Sequence, residues 1–283
     1  MAGLQRLVTR YGPIEYRETG SGQPVVVFHG GQGSALNDTF DHVLDLRRFR
    51  IIVPSRPGYL GTSLGANGSA EATARLVHAL VETLGTGPVG LISISLGARA
   101  AIAFGAQYPE MTRALVLSSP ILGPYAPRGS LTHRLARIFY NRWTEAATWW
   151  GTRLAFRLLP RTATRMFLHS ITRRRIEPLT PRHIAVVRER IFNLRSYAGL
   201  LVDLEQSVSE AMIAAIQCPT LIQHSINDPS ISEDHPRLAA RLIEGSELCL
   251  YDNDLGHFLW VGPGSEQAVG DIRTFIERHC HSD

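Results

Sequence analysis

Six short apolar runs constrain this chain more than any other feature: PVVVFH (24–29), RIIVPS (50–55), PVGLISI (88–94), RALVLSSP (113–120), PTLIQHS (219–225) and ELCLYD (247–252). Each is nearly continuous in hydrophobicity rather than alternating, the pattern of a strand covered on both faces. Helical spacing fills the gaps. Residues 69–85 place Ala70, Ala74, Val77, Leu80, Val81 and Leu84 on one stripe. Leu96–Tyr108 reads as a helix stopped at Pro109, 234–243 as another, and about Pro263 to Cys280 as the last. Strand–helix–strand repetition requires crossover connections, and therefore a parallel sheet. Two alternating stretches within 4–20 read as further short strands.

The rhythm breaks once. Residues 121–215 hold no buried strand, only helical patterns such as LTHRLARIFYNRWTEAATWW (131–150) and PRHIAVVRERIFNLRSYAGLLVDL (181–204). The expected organisation is an α/β core of residues 1–120 and 216–283, interrupted by a helical insertion over 121–215. A long connection with its own secondary structure usually has a job, such as a lid. With 283 residues, 44% of them hydrophobic, the chain can bury one large core.

Charge is unevenly spread. All 29 basic residues are arginine. The insertion carries fifteen of them against six acids, and the remainder fourteen against nineteen, so the insertion alone accounts for the net +4. Three readings of that excess compete: helices with a solvated arginine face, arginines that bind an acidic substrate, and a basic amphipathic lid touching an anionic membrane surface. Nucleic acid is not an expected partner, because Arg173-Arg174-Arg175 is short and stands in no recognised binding module. The opening MAGLQRLVTRYG lacks the apolar segment of a signal peptide, and no stretch reaches about 18 uncharged apolar residues. Cys218, Cys249 and Cys280 lie far apart with no CxxC, which argues against a disulfide framework or a zinc site. The expectation is a cytoplasmic protein with inert thiols and no metal or organic cofactor. Oligomeric state leaves no signature in the sequence.

The chemistry concentrates where strands end. SISLG (93–97) leaves a buried strand and opens a helix with no intervening loop. So tight a turn strains the residue at its apex, Ser95, and demands small neighbours two positions away; Ser93 and Gly97 meet that demand. The amide of Leu96 is then free to donate to an oxyanion. Taken alone, Ser95 could be only a helix cap. HGGQGS (29–34) follows the strand 24–29, and its glycines let backbone approach a ligand, with Gly31 as a second amide donor and His29 and Gly30 supporting the loop. A plain tight turn explains that loop equally well, whereas the phosphate-loop patterns are absent. Asp228 stands just past strand 219–225, and His257 stands in the loop after strand 247–252. Asp in NDP is a common turn former, and a lone loop histidine is usually structural. Together, however, a serine that needs a base and a base that needs an orienting acid occur at three strand ends in the order Ser, Asp, His. Asp252 and Asp254 are weaker candidates for the acid, and His224 reads as a packed strand-end residue.

On these residues the chain resembles the α/β-hydrolase family. The resemblance rests on HGGQGS, PSRPGYLGTS (54–63), SISLGARAAIAFGAQYPEMTRALVLSSP (93–120), CPTLIQHSINDP (218–229) and DLGHF (254–258). It departs in one place, with Ser93 where the usual G-x-S-x-G has glycine. The resemblance implies a mostly parallel eight-stranded sheet flanked by helices, a lid inserted after the sixth strand, Ser95, Asp228 and His257 as a triad, and Gly31 and Leu96 as oxyanion donors. It implies a carboxylic ester hydrolase acting on a small-molecule ester. The alternatives are hydrolysis of a carbon–carbon bond in a vinylogous diketo acid and a non-catalytic receptor on the same fold.

Overall fold

The computed structural model describes residues 3–37 and 40–280. Its strands are β1 (Gln5–Thr9), β2 (Gly12–Gly20), β3 (Gln23–Phe28), β4 (Phe49–Pro54), β5 (Val89–Ile94), β6 (Thr112–Ser118), β7 (Thr220–Ser225) and β8 (Glu247–Tyr251). They form one sheet in the order β1-β2-β4-β3-β5-β6-β7-β8. The β1–β2 and β2–β4 pairs are antiparallel and all others parallel. The expected eight-stranded, mostly parallel sheet is therefore what forms, and each of the six apolar runs is one of its strands.

The helices are α1 (Ala70–Thr83), α2 (Ala98–Gln107), α3 (Leu131–Phe139), α4 (Glu145–Leu158), α5 (Pro160–Ile171), α6 (Pro181–Asn193), α7 (Gly199–Asp203), α8 (Glu210–Ala214), α9 (Asp234–Leu242) and α10 (Glu266–His279). Pleating sorts the sheet residues between two core layers. Val26 and Phe28 pack on one side with residues of α1, α2 and α9. Val25 and Val27 pack on the other with residues of α10. Each such buried side chain contributes about 1.5–3 kcal/mol, so two-sided burial explains the continuous apolar runs of central strands such as β3 and β5, while the edge strand β8 stays partly exposed. The α1 start follows from Ser69, whose hydroxyl accepts the Ala72 amide at 3.1 Å.

The helices α3–α8 occupy the connection between β6 and β7; α4, α5 and α6 share an apolar cluster that includes Trp149, Phe156, Val187 and Ile191, whereas Ala136 of α3 and Leu200 of α7 pack with Leu96. The helical patterns of residues 131–150 and 181–204 are each divided between two helices. The Asn141 side chain donates to the carbonyls of Arg137 and Ile138 and accepts the amides of Trp143 and Thr144, ending α3 and opening the turn into α4. After α6, the Arg195 amide donates to Gln32 O and the Ser196 amide to Glu145. The local bonds of Asn141 and the tertiary bonds after α6 override helical periodicity. The insertion meets the core through further main-chain bonds: Arg173 N to Asn227 O (2.7 Å), His257 N to Ile171 O (2.8 Å) and Gly199 N to Gly58 O (2.9 Å).

Strand β3 lies between β4 and β5, so the connections out of β3 and into β5 run to opposite sides. Open α/β sheets bind ligands at the carboxyl ends of strands at such a reversal. The loops after β3 and β5 leave from that edge side by side.

Candidate active site

Ser95 sits at the apex of the β5–α2 turn with φ 51°, in the left-handed region. For a non-glycine residue that conformation costs on the order of 1–3 kcal/mol and persists only when its surroundings enforce it. They do so closely. A Cβ on Gly97 would lie 2.4 Å from Phe28 O and 2.6 Å from His29 O, so only glycine fits. The Ser95 carbonyl accepts the Ile121 amide at 3.2 Å. Ser93, the departure from the usual motif, is fully buried and turns its hydroxyl onto Val116 O at 3.1 Å. The expected α-helix from Leu96 begins instead with a 3-10 turn over Ser95–Gly97, and α2 follows. The first amides of such a turn have no intrahelical acceptor, and Leu96 supplies one of them.

The loop after β3 packs directly on this turn. A Cβ on Gly31 would fall 2.5 Å from Leu96 Cδ1, and one on Gly30 3.6 Å from Ser95 Cβ. The Gly30 carbonyl is held from behind: His29 Nδ1 lies 2.8 Å from it, and Arg56 Nη2 donates to it at 3.1 Å. In a trans peptide the next N–H points opposite to that carbonyl, so the Gly31 N–H turns away from the buried network. His29 Nε2 accepts the Arg56 amide at 2.9 Å, so its proton resides on Nδ1. Burial, reinforced by the nearby Arg56 charge, holds this imidazole well below 6.5.

Arg56 is anchored from the insertion. Its guanidinium makes a two-pronged pair with Asp203, Nη1–Oδ1 2.7 Å and Nη2–Oδ2 2.8 Å, with both side chains about 5% exposed. The Tyr59 hydroxyl donates to Asp203 Oδ2 at 2.6 Å, and Arg99 donates to the Asp203 carbonyl. Burial drives the Arg56 guanidinium down, but the charges and hydrogen bonds of Asp203 and Tyr59 together outweigh it and leave it above its ordinary value. The sequence reading missed this network. A carboxylate inside the apolar run GLLVDL and an arginine directly after a buried strand were its signals.

His257 Nδ1 lies 2.7 Å from Asp228 Oδ2. Asp228 is 1% exposed, and its other oxygen accepts the amides of Ser230 (2.7 Å) and Ile231 (3.1 Å). Burial raises this carboxyl, but the His257 charge and hydrogen bond and the Ser230 amide together hold it below the usual carboxylate range. Gly256, at φ 50°, brings the loop so close to α5 that a Cβ would meet Ile171 O at 2.2 Å. The pairing leaves His257 Nε2 as the ring nitrogen for a partner in the cavity. The other candidate acids are engaged elsewhere, Asp252 by Arg174 and Asn227, and Asp254 by Arg174. His224 is buried in β7.

A cavity of about 400 Å³ joins these parts; Ser95, His257, Gly30, Gly31 and Leu96 all line it. Apolar side chains from the insertion, among them Ala136, Phe167 and Leu200, form much of its wall. Arg190 of α6 also lines it; burial pushes its guanidinium down to about 10, so it stays charged at neutral pH. Cys218, Cys249 and Cys280 are free thiols and are not among the lining residues. No helix among the described residues is long and apolar enough to cross a membrane.

The sequence profile of the alpha/beta hydrolase family matches residues 25–268. The chain is 30% identical over 278 residues to an uncharacterised hydrolase, YcgS, of Bacillus subtilis (strain 168), covering 94% of this chain and 95% of that one. A shorter stretch of 111 residues is 32% identical to a 2-hydroxy-6-oxononadienedioate/2-hydroxy-6-oxononatrienedioate hydrolase of Burkholderia vietnamiensis, covering 37% of this chain and 38% of the relative. Among solved structures, an alpha/beta hydrolase fold protein from Nakamurella multipartita superposes with a TM-score of 0.77 at 23% identity, over 95% of this chain and 97% of its own. A thermophilic esterase from Thermogutta terrifontis does so at 0.72 and 21%, over 99% and 100%. At these identities the structural likeness speaks to the fold, and the profile and the full-length relative speak to descent: the chain is a hydrolase of the alpha/beta hydrolase family.

Proposed function

We propose that the protein cleaves carboxylic esters of small to medium substrates through Ser95, His257 and Asp228, beneath a lid formed by residues 121–215. The observation that carries this reading is the shared cavity: a strained serine and a carboxylate-bound imidazole open onto one space, with two backbone amide positions beside the serine. His257 Nε2 takes the Ser95 proton as the hydroxyl attacks the ester carbonyl. The Leu96 and Gly31 amides receive the developing oxyanion, at about 3 kcal/mol per donor. The proton passes to the leaving alcohol, the acyl group stays on Ser95, and water activated by His257 releases the acid. Asp228 keeps the imidazole in the tautomer with its proton on Nδ1 and balances the imidazolium.

Arg190 in the cavity supports substrates that carry a carboxylate at some distance from the ester. The same cation, with the segment similarity to the dienedioate hydrolase, favours one second reading, in which the site cleaves the bond between a ketone carbon and its neighbour in a dicarboxylic dienoate. The deciding experiment compares p-nitrophenyl esters with such a dienoate. Ser95→Ala is expected to stay folded, lose nearly all ester turnover and resist a fluorophosphonate probe that labels the parent protein. Full turnover in that variant removes Ser95 from the chemistry.

A further inference from the structure

The outer side of α3 is a surface the reaction does not use. The inner side faces the site: His133 and Ala136 are buried, and Thr132, Ala136 and Tyr140 line the cavity. On the outside, Leu131, Leu135, Ile138 and Phe139 are between 43 and 68% exposed, and Trp143, just past the helix, is 77% exposed. Leu131, Leu135 and Ile138 recur at helical spacing and make one stripe. Arg134, Arg137 and Arg142 are exposed among them, and the Arg142 guanidinium lies 4.5 Å from the Trp143 ring centre.

Residues 121–176 contain eleven arginines and a single carboxylate, Glu145. Glu145 is buried and taken up by Arg195, and Glu205 is taken up by Arg128 and His133, so Arg134, Arg137 and Arg142 keep their positive charge at this face. A solvated arginine face accounts for the charge but not for five large apolar side chains left in water. A second copy of the chain would cover the apolar stripe, but a two-fold contact would set these arginines against themselves. An anionic bilayer surface satisfies both features at once. Leucine, phenylalanine and tryptophan enter the boundary between headgroups and acyl chains, and arginine meets lipid phosphate.

We propose that α3 and Trp143 dock on the surface of an anionic lipid bilayer, so that the helix forms the cavity wall on one side and the membrane contact on the other. The contact holds whichever bond the site cleaves. Flotation of the full chain with vesicles tests it, using phosphatidylcholine alone or with about a third phosphatidylglycerol. The protein is expected to float with the anionic vesicles at low salt, to release near 1 M salt, where the screening length falls to about 3 Å, and to ignore pure phosphatidylcholine. Ile138→Glu with Trp143→Glu is expected to abolish flotation while a soluble aryl ester is still cleaved at the parent rate. Arg134→Gln with Arg137→Gln should weaken partitioning about 25-fold, roughly five-fold for each arginine. Failure of the parent protein to float with anionic vesicles at low salt overturns the proposal. So does undiminished flotation of the glutamate variant, or conversion of a solution dimer to a monomer by that variant, which would make the face a seam between copies.

Discussion

Asp203→Asn isolates the link between the insertion and the loop beside Ser95. The carboxylate accepts two guanidinium bonds from Arg56 and one from the Tyr59 hydroxyl, all between 2.6 and 2.8 Å and nearly shut off from water. An amide keeps the shape but turns a donor towards a donor and leaves the Arg56 charge without compensation. Breaking a buried ion pair from one side costs about 3–5 kcal/mol. A domain of this size has about 5–15 kcal/mol in total, so the variant should still fold. At roughly 2–4 °C per kcal/mol, its melting temperature should fall by about 6–20 °C. A purely structural loss would end there. Arg56 Nη2 also holds the Gly30 carbonyl, and that carbonyl fixes the direction of the Gly31 amide. Well below the new melting point, kcat for a p-nitrophenyl ester should therefore fall by tens to hundreds, approaching the roughly 10²–10³ of a lost oxyanion donor, with little change in KM. Thermal unfolding by circular dichroism and steady-state kinetics at 20 °C make the comparison. Tyr59→Phe, which removes one bond and no charge, should lower the melting temperature but spare kcat. An Asp203→Asn protein that melts within a degree or two of the parent, or turns over at the parent rate, refutes the reasoning.

Two further outcomes follow from the same geometry. Arg190→Gln should raise KM for an ester bearing a distal carboxylate by about ten-fold or more, the loss of one charge-assisted contact, and leave a neutral ester of equal length unaffected; equal effects on both would remove Arg190 from substrate binding. Stability should decline on mild acidification. His29 is held well below 6.5 by burial and Arg56, and burial lowers His224 and His235 in the same direction. Below pH 6.5 the unfolded chain binds protons that the folded chain refuses, so the full contribution is present above that value. It is lost by up to about 1.4 kcal/mol per pH unit for each such histidine on the way down to its folded value. Urea unfolding at pH 7.5 and 5.5 reads this directly, and identical midpoints would contradict it.

The sheet was legible because burial on both faces keeps β3, β5 and β6 mostly apolar, with only a few hydrogen-bonded polar residues such as Ser93, and because loops that bear chemistry must leave from strand ends. Asp228 and His257 could be singled out on that ground, and the structure sets them 2.7 Å apart. Its small size made Ser93 acceptable in the sequence, but the acceptor of its buried hydroxyl, Val116 O of the neighbouring strand, could not be read there. The breaks at Tyr140–Thr144 and 194–198 were also hidden. Helical periodicity runs through both, and what stops it is the Asn141 side chain in one case and Glu145 with Gln32 in the other. Arg56 and Asp203 stand 147 positions apart, with nothing local to pair them.

The main-chain bonds that run from Gln32 to Arg195, from Asn227 to Arg173 and from Ile171 to His257 bear on how such proteins diversify. Grafting the helices of a relative onto this sheet would not merely exchange one substrate preference for another. The transplant would arrive without the partners that hold the three loops around the cavity in place, and under the proposed mechanism rate would suffer along with selectivity. Inherited novelty in this insertion is therefore easier to reach by single side-chain changes on the cavity wall than by wholesale replacement.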